Sequence, residues 1–190
     1  MEKIDPSTLI ERLQSGVACI DSVMGGGLEP GVITEFYGEG GSGKSNLAMV
    51  FSLAAIKLGK TAIYLDTEGF SGDRFMQICG SDRTVAENMH LFRVSSLDDQ
   101  ELSLMRASKN LEKMKNPGIL VVDSGRKRPY LLYISFLSRL LKVTYIFLLY
   151  NPPFFKGPVL QPEWFSIKDV NRLDLVFKHG YCSVKNAREM

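Results

Sequence analysis

The residue types and spacing that point most directly to chemistry lie in Gly38-Glu39-Gly40-Gly41-Ser42-Gly43-Lys44-Ser45. This run fits the pattern G-x-x-x-x-G-K-[ST] at every position. Glycines let the backbone double back, so that successive N–H groups point into one anion-sized hollow. A helix beginning near Gly43 would add its positive dipole end. Lys44 would meet the β- and γ-phosphates as a point charge, and Ser45 would place a hydroxyl on Mg²⁺. Contacts to a nucleotide are therefore expected from Gly38 through Ser45, continuing to Asn46.

Two carboxylates have the chemistry to complete such a site. Asp123 closes the apolar, branched run Ile119-Leu-Val-Val-Asp123. A carboxylate at the C-terminal end of a buried parallel strand points to the crevice where ligands bind, and there it could hold Mg²⁺ through water. The plainer reading is an aspartate that starts a turn with Ser124. Glu68 follows another strand in Leu65-Asp66-Thr67-Glu68-Gly69. Phosphoryl transfer to water needs a group that orients and deprotonates that water, and Glu68 is the candidate, with Lys44 as the second catalytic residue. Its plainer reading is a solvated loop acid. Asp66 sits closer to the strand and reads as structural or as a support.

These groups need elements to position them. Val32–Tyr37 reads as a strand entering the glycine loop. Asn46–Leu58 reads as a helix with Leu47, Val50, Phe51, Ala54 and Leu58 near one face, ended by Gly59. A strand at Thr61–Asp66, a helix at Gly72–Cys79 and a strand at Met89–Val94 follow. Ser96–Lys115 reads as a long helix with Ser96 and Asp99 as a cap pair, stopped by Asn116-Pro117-Gly118. Ile119–Asp123 and Val143–Tyr150 read as buried strands, with an apolar helix at Pro129–Leu141 between them. Leu173–Phe177 and Tyr181–Val184 read as a terminal hairpin. Residues 4–24 read as two short helices or turns broken at Gly16. Alternating strands and helices predict an α/β fold: a mostly parallel sheet in a three-layer α/β/α sandwich, with a C-terminal β-hairpin at one edge.

The 190 residues fit one domain spanning 1–190, and 45% hydrophobic with 23% charged residues excludes disordered and low-complexity classes. Cys19, Cys79 and Cys182 are scattered and odd in number, and with only His90 and His179 there is no zinc spacing. The thiols read as reduced, in a cytoplasmic protein without a secretory leader. The apolar stretch from Pro129 to Phe155 is interrupted by Arg139 and Lys142, so no membrane span is expected. The net charge of +2 is unevenly divided. Residues 1–103 hold 8 Lys and Arg against 15 Asp and Glu, a balance of −7, whereas residues 104–190 hold 15 against 6, a balance of +9. The basic half suggests an acidic partner such as nucleic acid, unless the two halves simply mix on one surface. Arg126-Lys127-Arg128 could neutralise phosphates, and Phe154-Phe155-Lys156 could stack on bases beside a cation. The plainer readings are a solvated basic turn and an apolar loop packed on the core or a neighbour.

The order and spacing of Gly25–Gly31, Ile33-Thr-Glu-Phe-Tyr-Gly38, the glycine loop, Tyr64-Leu-Asp-Thr-Glu-Gly69 and Val121-Val-Asp-Ser124 resemble those of the RecA/RadA family of recombinases. Within it, the pattern is most similar to the short archaeal branch of RadB type, which lacks the N-terminal helical domain. The resemblance covers roughly residues 15–124. It implies a RecA-type fold, ATP and Mg²⁺ as cofactors, weak hydrolysis, DNA binding, with single-stranded DNA the expected partner, and an accessory part in recombination and repair alongside other repair proteins. It also implies water activation by Glu68, phosphate and metal contacts from Lys44 and Ser45, a metal contact from Asp123, and adenine stacking by Arg74 in Gly69-Phe-Ser-Gly-Asp-Arg74. Asn151 matches the strand-end asparagine of the family and joins the nucleotide set, but Pro152 replaces its γ-phosphate-sensing glutamine. That departure, and a short second half, leave open a scaffold that binds ATP without turning it over. A signalling ATPase of KaiC type without a DNA role is the third reading. Homo-oligomer formation is a further implication of the family.

Overall fold

The computed structural model describes residues 11–38, 41–80 and 82–123, together with the backbone of three strands between 144 and 186. In chain order the elements are α1 (Ala18–Val23), β1 (Ile33–Gly38), α2 (Lys44–Lys57), β2 (Thr61–Asp66), α3 (Gly72–Cys79), α4 (Arg83–Glu87), β3 (Met89–Arg93), α5 (Leu97–Lys113), β4 (Pro117–Asp123), β5 (Thr144–Tyr150), β6 (Val170–Lys178) and β7 (Tyr181–Asn186). The strands form one sheet in the order β3-β2-β4-β5-β1-β6-β7. All neighbouring pairs are parallel except β6 and β7, which form the antiparallel hairpin at the edge beyond β1.

Strands β2 and β4 are apolar at nearly every position because helices cover both faces. The two-residue alternation of a strand sorts their side chains. Phe36, Ala62, Tyr64, Ile119 and Val121 meet Ala48, Phe51 and Ala55 of α2, Phe75 of α3 and Val85 of α4. Ile33, Ile63, Leu65, Leu120 and Val122 meet Leu104, Ala107 and Leu111 of α5 on the opposite face. The result is the three-layer α/β architecture expected from the sequence. It places the C-terminal ends of β1, β2 and β4 at one rim of the sheet.

Four local expectations are corrected. The buried side of α2 is not the stripe predicted: Ala48, Met49, Phe51, Ser52, Leu53, Ala55 and Ile56 are buried, while Leu58 is 63% exposed. Small residues let this helix press closely on the sheet, and Ser52 is tolerated there because its hydroxyl donates to the Ala48 carbonyl at 2.8 Å. Residues 11–15 are not helical. Leu13 pairs with Leu28 in an isolated antiparallel bridge. That close approach requires glycine at position 27, where φ is +116° and a Cβ would land on the Leu13 carbonyl. The short helix α4 was not anticipated. Finally, Ser96 does cap α5 by accepting from the Asp99 N–H, but Asp99 returns its carboxylate to the Ser95 N–H rather than to that of Ser96. The expected helix at Pro129–Leu141 lies outside the described residues.

Candidate functional site

The phosphate-binding geometry begins at the β1–α2 junction. Gly43 is the N-cap of α2 in the left-handed region, φ 86°, and no side chain caps the helix. The first-turn N–H groups of α2 are thus presented without a side-chain acceptor, which is the arrangement that receives an anion. Ser42 is buried just before it. The Lys44 ammonium donates to the Ser42 hydroxyl at 3.4 Å. Burial pushes that ammonium below the usual lysine value, while the negative charges of Asp123 and Glu68 pull it back up. Lys44 therefore lies in the field of both predicted acids, which come from different strands.

Those strands end side by side. In the parallel register of β2 and β4, Asp66 stands opposite Asp123, and both are buried. Their surroundings differ. Asp66 Oδ1 accepts from the backbone N–H of Glu68 at 3.1 Å and of Gly69 at 2.8 Å, and Oδ2 accepts from Phe70 at 2.7 Å. Asp66 folds the loop that carries Glu68, and Thr67 ties the loop to β4 by donating to the Asp123 carbonyl at 2.6 Å. Glu68 itself is exposed at the rim.

Asp123 receives hydroxyls instead. The Tyr64 phenol donates to Asp123 Oδ2 at 2.6 Å in a buried contact. The Ser45 hydroxyl lies near the same carboxylate. Burial pushes the Asp123 carboxyl above the usual carboxylate range. The Tyr64 hydrogen bond and the nearby Ser45 hydroxyl draw it down, while the nearby charges of Glu68 and Asp66 add to the rise. Burial, and then the Asp123 charge, push the Tyr64 phenol up as well, so it remains a protonated donor.

At the outer edge Ser71 caps α3 by accepting from the Arg74 N–H at 3.2 Å. The Arg74 guanidinium donates to Asn46 Oδ1 at 3.2 Å and to Gln77 Oε1 at 3.1 Å. Arg74 is exposed and held over the first turn of α2. The structure thus gathers Ser42, Lys44, Ser45, Asn46, Glu68, Arg74 and Asp123 at one rim. Glu39, Gly40, Asn151, Arg126, Lys127, Arg128, Phe154, Phe155 and Lys156 lie outside the described residues. Tyr64 was missed as a site residue, although a tyrosine two positions before Asp66 on the same strand must share its side of the sheet.

Among the described residues no group of three or more His, Cys, Asp or Glu side chains could hold a metal by itself. One hydroxyl and one carboxylate, Ser45 and Asp123, are what remains for an ion whose other ligands are phosphate oxygens and waters. That donor set suits Mg²⁺, which keeps several waters and is rarely caged by protein alone.

The sequence model of the Rad51 family matches residues 7–129. The chain belongs to the Rad51 family. Among relatives, this Rad51-family chain is 48% identical over 124 residues to the DNA repair and recombination protein RadB of Thermoplasma volcanium, covering 65% of this chain and 52% of that protein. It is 47% identical over 124 residues to the RadB of Thermoplasma acidophilum, covering 65% and 53%. The RadB of Methanococcoides burtonii is 40% identical over 119 residues, covering 62% and 52%. The chain spans about half the length of these curated relatives. The resemblance to the RecA/RadA family and its RadB branch is thereby borne out, and the three-layer sheet is the RecA-like core of a Rad51-family protein. Among the described residues no helix is long and apolar enough to cross a membrane.

Proposed function

We propose that this chain binds ATP with Mg²⁺ at the rim formed by β1, β2 and β4, hydrolyses it slowly, and serves as a DNA-binding accessory in recombination and repair. The observation that carries the nucleotide half is the convergence on Lys44. A lysine at the start of an uncapped helix lies within the fields of Asp123 and Glu68, carried by two other strands. The cellular half is supported by the relatives, which are named DNA repair and recombination proteins.

The residues divide the work by chemistry. The first-turn N–H groups of α2 and the Lys44 ammonium receive phosphate oxygens. Ser45 and Asp123 hold the metal, directly and through water. Mg²⁺ supplies charge neutralisation of the phosphates when bound. Glu68 orients and deprotonates the attacking water from the exposed rim. Arg74, anchored by Asn46, covers the base by stacking. Arg74 is assigned to the base, so slow turnover is expected without a charge-stabilising arginine from a partner.

The test is ATP turnover with and without single-stranded DNA at two salt concentrations. The Lys44→Ala protein is expected to lose nucleotide binding. The Glu68→Ala protein is expected to keep binding and lose turnover by about a hundredfold. Equal turnover in wild type and Glu68→Ala removes the glutamate from the mechanism. Binding that depends on Lys44 with turnover at background turns the reading to a nucleotide-dependent scaffold. DNA affinity should fall steeply with salt, because it depends on phosphate neutralisation by the basic second half. Absence of DNA binding at low salt overturns that part.

A further inference from the structure

We propose that Tyr64 is a positioning residue for the metal site: its phenol holds the Asp123 carboxylate so that Asp123 and Ser45 receive Mg²⁺ together. The inference rests on the ATP–Mg²⁺ reading above.

The geometry is specific. Tyr64 is fully buried on β2, in the core layer under α2. Its ring packs edge-on against Phe70 with centroids 4.9 Å apart, and Phe70 lies 5.7 Å from Phe75 of α3. The phenol therefore has little freedom, and at its tip it donates 2.6 Å to Asp123 Oδ2. A buried carboxylate with two other acids nearby, Glu68 and Asp66, is driven to turn away from them. A fixed neutral donor on one of its oxygens opposes that, and orients the remaining oxygen. Ser45 lies near this carboxylate. A serine hydroxyl can give a lone pair to a metal and keep its proton for a neighbouring carboxylate, while Tyr64 remains the fixed donor on Asp123 Oδ2. The same tyrosine touches the far side of the Glu68 loop through Phe70, whose N–H is held by Asp66. One side chain thus connects the metal carboxylate to the loop bearing the water-activating acid.

The Tyr64→Phe substitution removes only the hydroxyl and keeps the ring on Phe70. Binding of a fluorescent ATP analogue is titrated with Mg²⁺, and in parallel measured in EDTA. For wild type, the Mg²⁺ requirement should show as tighter binding with metal. For Tyr64→Phe, the Mg²⁺ midpoint should rise about tenfold, as loss of a hydrogen bond to a charged group allows, while affinity in EDTA stays at the wild-type value. A purely structural role for Tyr64 would weaken both arms alike. An unchanged or lower Mg²⁺ midpoint overturns the proposal. A wild-type protein whose nucleotide binding ignores Mg²⁺ overturns the reading beneath it, so the two failures are distinct. If Tyr64→Phe does not fold, 3-fluorotyrosine placed at position 64 alone keeps the hydroxyl. Its ¹⁹F resonance should shift on addition of ATP with Mg²⁺ but not of ATP with EDTA, and identical spectra in both overturn the proposal.

Discussion

The ends of β2 and β4 make a natural pair. Each closes with an aspartate, the two stand opposite each other in the sheet, and both are buried. They do different things because their partners differ. Asp66 spends both oxygens on backbone N–H groups of its own loop and becomes part of the scaffold. Asp123 meets side-chain hydroxyls instead, the Tyr64 phenol at 2.6 Å with Ser45 nearby, and burial holds its carboxyl above the usual range. A carboxylate satisfied by fixed backbone donors has nothing left for a ligand. One satisfied by hydroxyls, and still under a desolvation penalty, has something to gain from a cation.

The comparison can be broken most severely at Asp66. Asp66→Ala leaves the N–H groups of Glu68, Gly69 and Phe70 without their acceptor, and should lower stability by about 3 kcal/mol in chemical denaturation. At Asp123 the sign should reverse. Asp123→Asn removes a buried charge that lacks its cation, so the nucleotide-free protein should gain about 1 kcal/mol at neutral pH while losing Mg²⁺-dependent nucleotide binding. Calorimetry with and without ATP and Mg²⁺ checks both halves. Ser71→Ala tests a hydroxyl that serves structure rather than ligand: loss of the α3 cap should lower stability by about 1 kcal/mol and loosen Arg74.

The smallest effect is expected at Asp82, an exposed acid that works as Asp66 does. Its carboxylate accepts from the Thr84 hydroxyl at 2.7 Å and from the Thr84 N–H at 2.9 Å, and these bonds hold it below the usual carboxylate value. A depressed folded-state value means that the contribution is present above the unfolded-state value and lost as pH falls through the folded one. Asp82→Ala should therefore lower the denaturation midpoint slightly at neutral pH and not at all in strong acid. A deficit that persists in acid would assign the effect to something other than the charged cap.

Much of this is legible in the residue types alone. The glycine loop carries its own geometry in residue types, and the strand-end acids follow from apolar runs that stop at a carboxylate. Helix α3, from Gly72 to Cys79, has the boundaries expected because Ser71 and Gly80 punctuate it. What stayed hidden depends on neighbours distant in the chain. The duty of Tyr64 is set by the register of β2 against β4, which no local pattern encodes. The buried side of α2 is wider than one stripe because both a sheet and two further helices press on it, so periodicity misjudged it. Helix α4 is too short for periodicity, and only its Asp82 cap could have announced it.

The strand order carries a further consequence, one of timing. Strand β5 lies between β1 and β4, yet it follows both in the chain. As the polypeptide is made, the glycine loop and Asp123 exist before the strand that must separate them. The two rims of the nucleotide crevice cannot reach their working distance until β5 has been inserted, and a direct pairing of β1 with β4 is the error the growing chain must avoid. The rim therefore takes its final geometry only once β5 is in place, although its most recognisable residues are made before that strand.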